Sequence, residues 1–547
     1  MIKKITNSFL RGEKISESIT RSAILIATMG LASRALGLIR DRILAANFGA
    51  GDILDAYYSA FKIPDMVYSL LVMGALSAAF IPVFSSLVVG KKNNHKKAWK
   101  LVNEILTIGV VLLATISLCL FLFADLLVDL IAPGYSEEKK LLVTEMTRIM
   151  LLSPIFLGIS GVFGGILNSF KKFFFYSLSP IFYNLGIIGG AVFLVDYYGS
   201  VGLAWGVVLG ALLHLLVQLP EVLRCGFKFH FDFNWRDKNF QKIIKLMIPR
   251  TLGIATSQVN LLVAIVLASL LESGSLAVFN FANNLQSVPL GLFGVSFAVA
   301  SFPVISSLWA RGEKTQFVLR LTGTLRKILF FIIPFSALIY ILRAQIVRVV
   351  LGAGKFNWED TTLTFTVLGI FTFSLWAQSI IPLLARSFYA MHNTKTPFFT
   401  ALFSETLNVI LAIILIKKYA IIGLAMAFST TAIINALLLF FQLRWRVPEI
   451  KTGGVIKTFS KVTFATLVMV LVVQLLKNII GAEPFGPEKT FLGVFFQLSV
   501  SLSGGLAIFL LLGKVLQIDE LQHFIKTLRH KLTIKKIISG ARDEIGN

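Results

Sequence analysis

The chain has 547 residues, 56% of them hydrophobic and only 15% charged, with 48 Phe and a formal net charge of +24. A mean hydropathy of +0.81 excludes an ordinary soluble protein, whose several domains would each need a polar surface. The two cysteines, Cys119 and Cys225, lie far apart and match no metal or redox spacing, so neither a disulfide nor a metal site is expected.

The first 21 residues carry Lys3, Lys4, Arg11, Lys14 and Arg21 without an early apolar run, so a removable signal peptide is not expected. Apolar spans follow near 22–46, 56–88, 101–131, 143–168, 176–195, 201–220 and 244–269. Seven more lie near 276–308, 322–350, 362–389, 397–416, 420–443, 458–477 and 490–513. The expected class is an all-α polytopic membrane protein with fourteen transmembrane helices. Lys and Arg concentrate in the connections on the side that holds both termini, which places the termini in the cytoplasm. Lys91-Lys92-Asn-Asn-His95-Lys96-Lys97 and Arg444-Trp-Arg446 then face anionic lipid, a better use of the positive charge than nucleic-acid binding. Leu521, Phe524, Ile525, Leu528 and Leu532 recur at helical spacing among Lys526, Arg529, Lys531, Lys535 and Lys536, as in an amphipathic helix on the membrane surface.

The chain repeats itself at offsets of about 217 to 224 residues. Pro82-Val-Phe-Ser-Ser-Leu87 returns as Pro303-Val-Ile-Ser-Ser-Leu308, Asn168-Ser-Phe170 as Arg386-Ser-Phe388, and Gly202-Leu-Ala204 as Gly423-Leu-Ala425. Pro180 pairs with Pro397, and Gln218 with Gln442. An offset of six helices leaves each half in the same orientation, so two six-helix lobes related by an axis along the membrane normal are expected, with two helices left over. The organisation is then an N-terminal cytoplasmic segment (1–21), a first lobe (22–220), a basic cytoplasmic linker (221–243), a second lobe (244–443), the two extra helices (444–513) and a basic tail (514–547). Parallel lobes about a cleft suit a secondary transporter working by alternating access.

The first span carries Ser33-Arg34-Ala-Leu-Gly37-Leu-Ile-Arg40-Asp41, followed by Phe48-Gly49-Ala-Gly51. A charge at mid-bilayer costs roughly 2.5 to 3.5 kcal/mol, so these groups should face a protein-lined or watery cavity. A guanidinium pairs two phosphate oxygens with its planar fork and keeps its charge when desolvated, which points to an anionic, phosphorylated cargo. Arg40-Asp41 could instead be a self-compensating pair that fixes helix packing, a reading not open to Arg34, which has no adjacent acid.

These residues resemble the signature of the MurJ/MviN family of bacterial lipid II flippases. The resemblance continues through Asp55-Ala56-Tyr57, Ala60-Phe61-Lys62-x-Pro64, Gly74-Ala75, Ala79-Phe80-x-Pro82, Ala132-Pro133-Gly134-Tyr135, Gly352-Ala-Gly354-Lys355-Phe356, Phe388-Tyr389-Ala390 and Thr394-Lys395-Thr396-Pro397. It covers about residues 22 to 515. It implies the fold of the multidrug/oligosaccharidyl-lipid/polysaccharide exporter superfamily and a place in the bacterial cytoplasmic membrane. The implied cargo is undecaprenyl pyrophosphate carrying the disaccharide-pentapeptide of peptidoglycan, moved from the inner to the outer leaflet for cell wall biosynthesis. By matching positions Arg34 and Arg40 would engage the pyrophosphate, Asp41 would orient Arg40, and Asp55 would help open or close the lobes. Asp55 also suits a helix cap at the start of the second span. The extra helices would form a groove for the prenyl tail. Where some members have an Arg pair and a Glu, this chain has Tyr68-Ser69 and Met73, and Asn284 stands for a cavity Arg. Lys62 and Arg250 are the candidates to replace those cations, although Arg250 could equally snorkel to the membrane surface.

Glu405 and Asn408, among Ser404, Ser429, Thr430 and Thr431, could bind Na⁺ or a proton, or could be a polar contact between helices. The membrane potential could also act directly on the cavity charges. No cofactor is expected. His95, His214, His230, His392, His523 and His530 are scattered and no nucleotide-binding Gly-rich loop occurs, which argues against an enzyme. The alternatives are an exporter of another prenyl-linked oligosaccharide and a structural membrane scaffold. Membrane lipids are expected partners, peptidoglycan synthases possible ones, nucleic acid none, and a monomer the expected state.

Overall fold

The computed structural model describes residues 2–73, 80–88, 93–451, 453–481 and 490–526, without the side chains of 2–24, 73, 93–95, 246, 249, 250, 252, 253 and 256. Every regular element among them is helical. Nine helical segments of the described residues are long and apolar enough to cross a bilayer, and two of these, Phe173–Arg224 and Lys395–Arg446, run 52 residues each. At 1.5 Å per residue such a segment is about 78 Å long, more than twice a hydrocarbon core of ~30 Å. Large apolar side chains remain open on the surface, among them Leu130, Phe193, Leu471 and Leu511, as lipid contact requires. The chain is a multi-pass, all-α membrane protein, as its composition indicates.

The described residues form two compact units, the first from Met1–Asn280 with Leu351–Asp360, the second from Phe281–Val350 with Thr361–Asn547. The first unit contains α1 (Ile2–Phe48), α2 (Asp52–Val67), α3 (Ile81–Val88), α4 (Asn93–Leu122), α5 (Ala124–Ile131), α6 (Glu137–Met150) and α7 (Ser153–Ser169). It continues with α8 (Phe173–Gly189), α9 (Val195–Tyr198), α10 (Gly202–Leu216), α11 (Leu219–Arg224), α12 (Lys238–Ser269) and the first turns of α13 (Ser275–Pro289). The 221–243 linker lies inside this unit, because α12 packs on α2, α4 and α5.

Local chemistry explains the helix ends. Gly49, at φ +68°, follows α1, and Asp52 and Asp55 lie in the first turn of α2, where the helix dipole favours a carboxylate. The Ser136 side chain caps α6 by accepting from Lys139 N, with Glu137 and Glu138 behind it. Asp237 caps α12 through Asn239 N and Phe240 N. Phe80 stacks on Phe84 at 5.2 Å and, with Phe163 and Phe227, anchors the unit's aromatic core. Gly186 and Gly190 meet Gly210 and Gly206 so closely that a Cβ at either would overlap the facing backbone. This is the small-residue contact that membrane helices use when no hydrophobic force drives them together.

The second unit contains the rest of α13, then α14 (Ser296–Ala310), α15 (Lys314–Ile341), α16 (Arg343–Val350), α17 (Trp358–Ala390) from Thr361 on, α18 (Lys395–Arg446), α19 (Gly453–Gly481) and α20 (Phe491–Val515). Helices α19 and α20 pack on each other and α19 on α15. The stretch after α20 is anchored rather than loose: Leu521 is buried, Phe524 meets Phe331 edge-on, and Arg326 pairs with Asp519 and Glu520. The amphipathic tail beyond 526 and the Lys91-Lys92 run lie outside the described residues.

The repeat in the sequence is a repeat of backbone devices. Wide, π-type turns occupy Tyr68–Met73 and Leu290–Val295, following Pro64 and Pro289, whose missing N–H groups loosen the helical ladder. The long helices α4 and α15 each break one residue before a short one, at Phe123 and Leu342. Gly202 abuts the carbonyl of Leu194, and Gly423 that of Leu415. Gly199, at φ 60° and ψ −153°, has its counterpart in Ala420, at φ 48° and ψ −132°. That region belongs almost wholly to glycine. Ala420→Gly should therefore relieve strain and stabilise the protein by about 1 kcal/mol after glycine's own entropy cost. The thermal midpoint of the purified variant measures this, and a lowered midpoint would contradict it.

Candidate functional site

The charged residues of α1 and α2 are distributed through the first unit in three places. Arg34 and Ser33 line a cavity of about 470 Å³ together with Tyr68, Ser160, Asn168 and His214. A second space of about 230 Å³ shares Tyr68, Pro180 and His214 with the first and adds Asp65 and Tyr183. The Ser160 hydroxyl lies between two hydrogen-bonding neighbours: its Oγ is 2.7 Å from His214 Nδ1, and Gln218 Nε2 donates to it at 2.6 Å. The walls therefore combine a cation, hydroxyls, amides and an imidazole, a set able to hold an oxygen-rich anion.

Arg40 lies elsewhere. Its Nε and Nη2 donate to Asp41 Oδ1 at 3.0 and 2.8 Å, and its Nη1 to Asn184 Oδ1 at 3.2 Å. Asn184 is itself fixed by donating to Pro180 O at 2.9 Å. Arg40 thus ties α1 to α8, and Asp41, only 2% exposed, orients it. Lys62 is buried, donates to Gln258 Oε1 of α12 and lies 3.6 Å from Asp65. Arg250 falls within α12, but its side chain lies outside the described residues.

Asp55 forms the third group and is the most completely engaged. It is 2% exposed, and its Oδ2 accepts from Lys139 Nζ at 3.0 Å and from Gly274 N at 2.8 Å. Its Oδ1 accepts from Ala277 N at 2.9 Å. It is a helix cap, but of α13 rather than of its own helix. Lys139 also donates to Asp52 Oδ1 at 2.7 Å and lies 3.9 Å over the Tyr135 ring, whose hydroxyl is 3.1 Å from Ser59 Oγ. Partial burial pushes the Asp52 carboxyl up, and the hydrogen bonds from Lys139 and Ser273 outweigh it, holding it below the ordinary aspartate value.

Next to this cluster two motifs meet that are some 300 residues apart. Lys355 N donates to Ala46 O at 2.8 Å, Ala50 N donates to Asp360 Oδ2 at 3.1 Å, and Gly354, at φ +56°, lies against the Ala46 carbonyl. Gly134 approaches the Ser269 carbonyl in the same way. In each case a glycine that follows the short broken helix of one repeat closes on the end of the first helix of the other repeat. Sequence reasoning missed Lys139, Ser273 and Asp360; the Gly134-Tyr135 and Gly352–Phe356 motifs that flank them were the available signal.

In the second unit Glu405 is half-buried. The neighbouring hydroxyls are engaged with backbone: Ser404 with Thr400 O, Thr431 with Ala427 O and Ser429 with Ile370 O. Among the described residues no group of three or more His, Cys, Asp or Glu is placed to hold a metal ion.

A multi-pass helical fold built on an internal repeat, with a cation-lined cavity in its first unit, is that of a membrane transporter. The family model described as lipid II flippase MurJ matches residues 44–496, and the chain belongs to that family. It is 30% identical over 499 residues to the "Probable lipid II flippase MurJ" of Thermotoga maritima, covering 91% of this chain and 97% of that one. A solved structure of lipid II flippase MurJ in an inward closed conformation superposes with a TM-score of 0.77 at 28% identity, covering 91% of this chain and 99% of that one. A multidrug resistance MATE family transporter of the MOP superfamily, inward-facing, shares the fold with a TM-score of 0.65 at 15% identity, over 79% of this chain and 99% of that one.

Proposed function

We propose that this protein is a lipid II flippase that moves the undecaprenyl-pyrophosphate-linked peptidoglycan precursor across the bacterial cytoplasmic membrane. Membership of the family over residues 44–496 carries this reading. The chain crosses the membrane fourteen times, with two passes in each 52-residue segment, and both termini face the cytoplasm. Arg34, in the cavity wall, engages the cargo's pyrophosphate. Its charge is retained without water, and its fork fits two oxygens at once. Arg40 acts mainly through position, holding α1 on α8, and the Asp55 cluster keeps one end of the first unit closed while the other is open. The prenyl tail lies along α19 and α20.

The test is the amount of lipid II reaching the outer leaflet in bacteria depleted of their own flippase. The wild-type chain should restore it, and Arg34→Ala, at equal membrane abundance, should lower it at least about tenfold, the effect of losing one charge-assisted bidentate contact. Restoration by Arg34→Ala equal to the wild type would remove the cationic cavity from the mechanism. A well-inserted wild-type chain that restores nothing would favour another prenyl-linked glycan as cargo.

A further inference from the structure

The second unit holds a cavity of about 970 Å³, lined by Phe388 from α17 and by residues from both ends of α18. Its polar rim carries Lys395, at the start of α18, and Arg446, at its end; its walls carry Phe399, Phe403 and Leu438. Both cations are exposed, and neither forms a salt bridge to a described residue. Trp445, beside Arg446, is 88% exposed, and Phe399 and Phe403 are more than half exposed. On the wall Thr400 Oγ1 lies 2.8 Å from Thr396 O and 2.9 Å from Gln442 Oε1. The rim is positive and exposed, and the rest of the wall is largely apolar and aromatic.

The repeat supplies an internal comparison. Gln218 of the first unit corresponds to Gln442, and three residues on, Glu221 stands where the second unit has Trp445. In the first unit that acid takes up the local positive charge, pairing with Lys172 at 3.0 Å and with Arg224 at 3.4 Å. The second unit has no acid there but an indole, the side chain that favours the boundary between headgroups and acyl chains, and its own cations, Lys395 and Arg446, stand where the first unit has Leu178 and Val222. Its positive charge is left for an anion from outside the chain.

From this geometry we infer that the α17–α18 cavity is a binding site for an anionic phospholipid of the surrounding membrane, with the headgroup phosphate between Lys395 and Arg446 and an acyl chain along Phe399, Phe403 and Leu438. A phosphate ester accepts from an ammonium and a guanidinium together. The aromatic wall gives the chain an apolar surface, and Trp445 closes the rim at headgroup depth. This site is separate from the cation-lined cavity of the first unit and does not depend on the flippase reading.

The test uses the full-length protein in detergent, offered equal amounts of phosphatidylglycerol and phosphatidylcholine, with retained lipid counted by native mass spectrometry. The wild type should retain phosphatidylglycerol about tenfold over phosphatidylcholine, and Lys395→Gln/Arg446→Gln should abolish that preference. Trp445→Glu, which puts an acid at the position matching Glu221, beside Arg446 and at an exposed site that spares the fold, should abolish it as well. Lys172→Gln should leave it unchanged. Equal retention of the two lipids by the wild type, or phosphatidylglycerol kept by both variants, would overturn the proposal. So would inorganic phosphate that binds and displaces the lipid, since the site would then serve a free anion.

Discussion

Replacing Gly274 by alanine should cost the protein a large share of its stability. Gly274 has φ +87°, and an added Cβ would fall inside the contact distance of the Ala50 carbonyl oxygen. That oxygen belongs to backbone that cannot turn aside: Gly49 sets the turn before it, and Ala50 N is held by Asp360. The Gly274 N–H is itself bound to Asp55, so shifting residue 274 breaks that bond too. Strain at a glycine-only conformation costs about 1 to 3 kcal/mol and overpacking about as much again, against a total stability of roughly 5 to 15 kcal/mol. The protein itself provides the control. Gly226 has φ +91° with nothing within 4 Å of its Cβ position, so Gly226→Ala isolates the backbone contribution. The thermal midpoint should fall by about 1 to 3 °C more for Gly274→Ala than for Gly226→Ala. Equal shifts would show that Ala50 can yield.

The second large effect is expected at Asp55. Asp55→Ala removes a buried carboxylate from Lys139 and leaves the N–H groups of Gly274 and Ala277, at the start of α13, without their acceptor. Lys139 is 8% exposed, so it keeps only the more exposed Asp52 as a counter-charge. Removing one partner of a buried pair typically costs about 3 to 5 kcal/mol. Asp55→Asn retains an acceptor for Ala277 N but not the charge, and should fall between alanine and wild type. Thermal unfolding of both variants measures this, and a midpoint unchanged in Asp55→Ala would refute the arrangement. Lipid II transport at matched protein abundance separates the two roles. If Asp55 only caps α13, activity follows the amount of folded protein; if it also holds one end of the unit closed, activity falls further.

Fold class was legible because the bilayer imposes a composition that nothing else requires, and the repeat because glycine is needed wherever one backbone crosses another. Gly202 and Gly423 recur in the sequence since each must pass a carbonyl eight residues earlier. The partners of Asp55 were not legible. Lys139 is 84 residues away and Gly274 is 219, and no periodicity links a carboxylate to a helix end brought to it by tertiary packing. The same blindness applies to Arg40 but not to Arg34. Both read as cavity-facing guanidinium groups on one helix; Arg34 does line a cavity, whereas the bond of Arg40 to Asn184, 144 residues on, is visible only in the structure. Lys62 was legible as a cation but not as a partner of Gln258, for the same reason.

The meeting of Ala46 and Ala50 with Gly354, Lys355 and Asp360 sets an order on the protein's birth. These partners are separated by about 310 positions, which a ribosome working at roughly 5 to 20 residues per second covers in ~15 to 60 s. Throughout that interval the end of the first helix has left the ribosome while the segment that closes over it has not been made. The two glycine turns are thus the last stitch of a seam begun ~15 to 60 s earlier, and whatever inserts this chain into the membrane must keep the first helix from pairing elsewhere until residue 360 arrives.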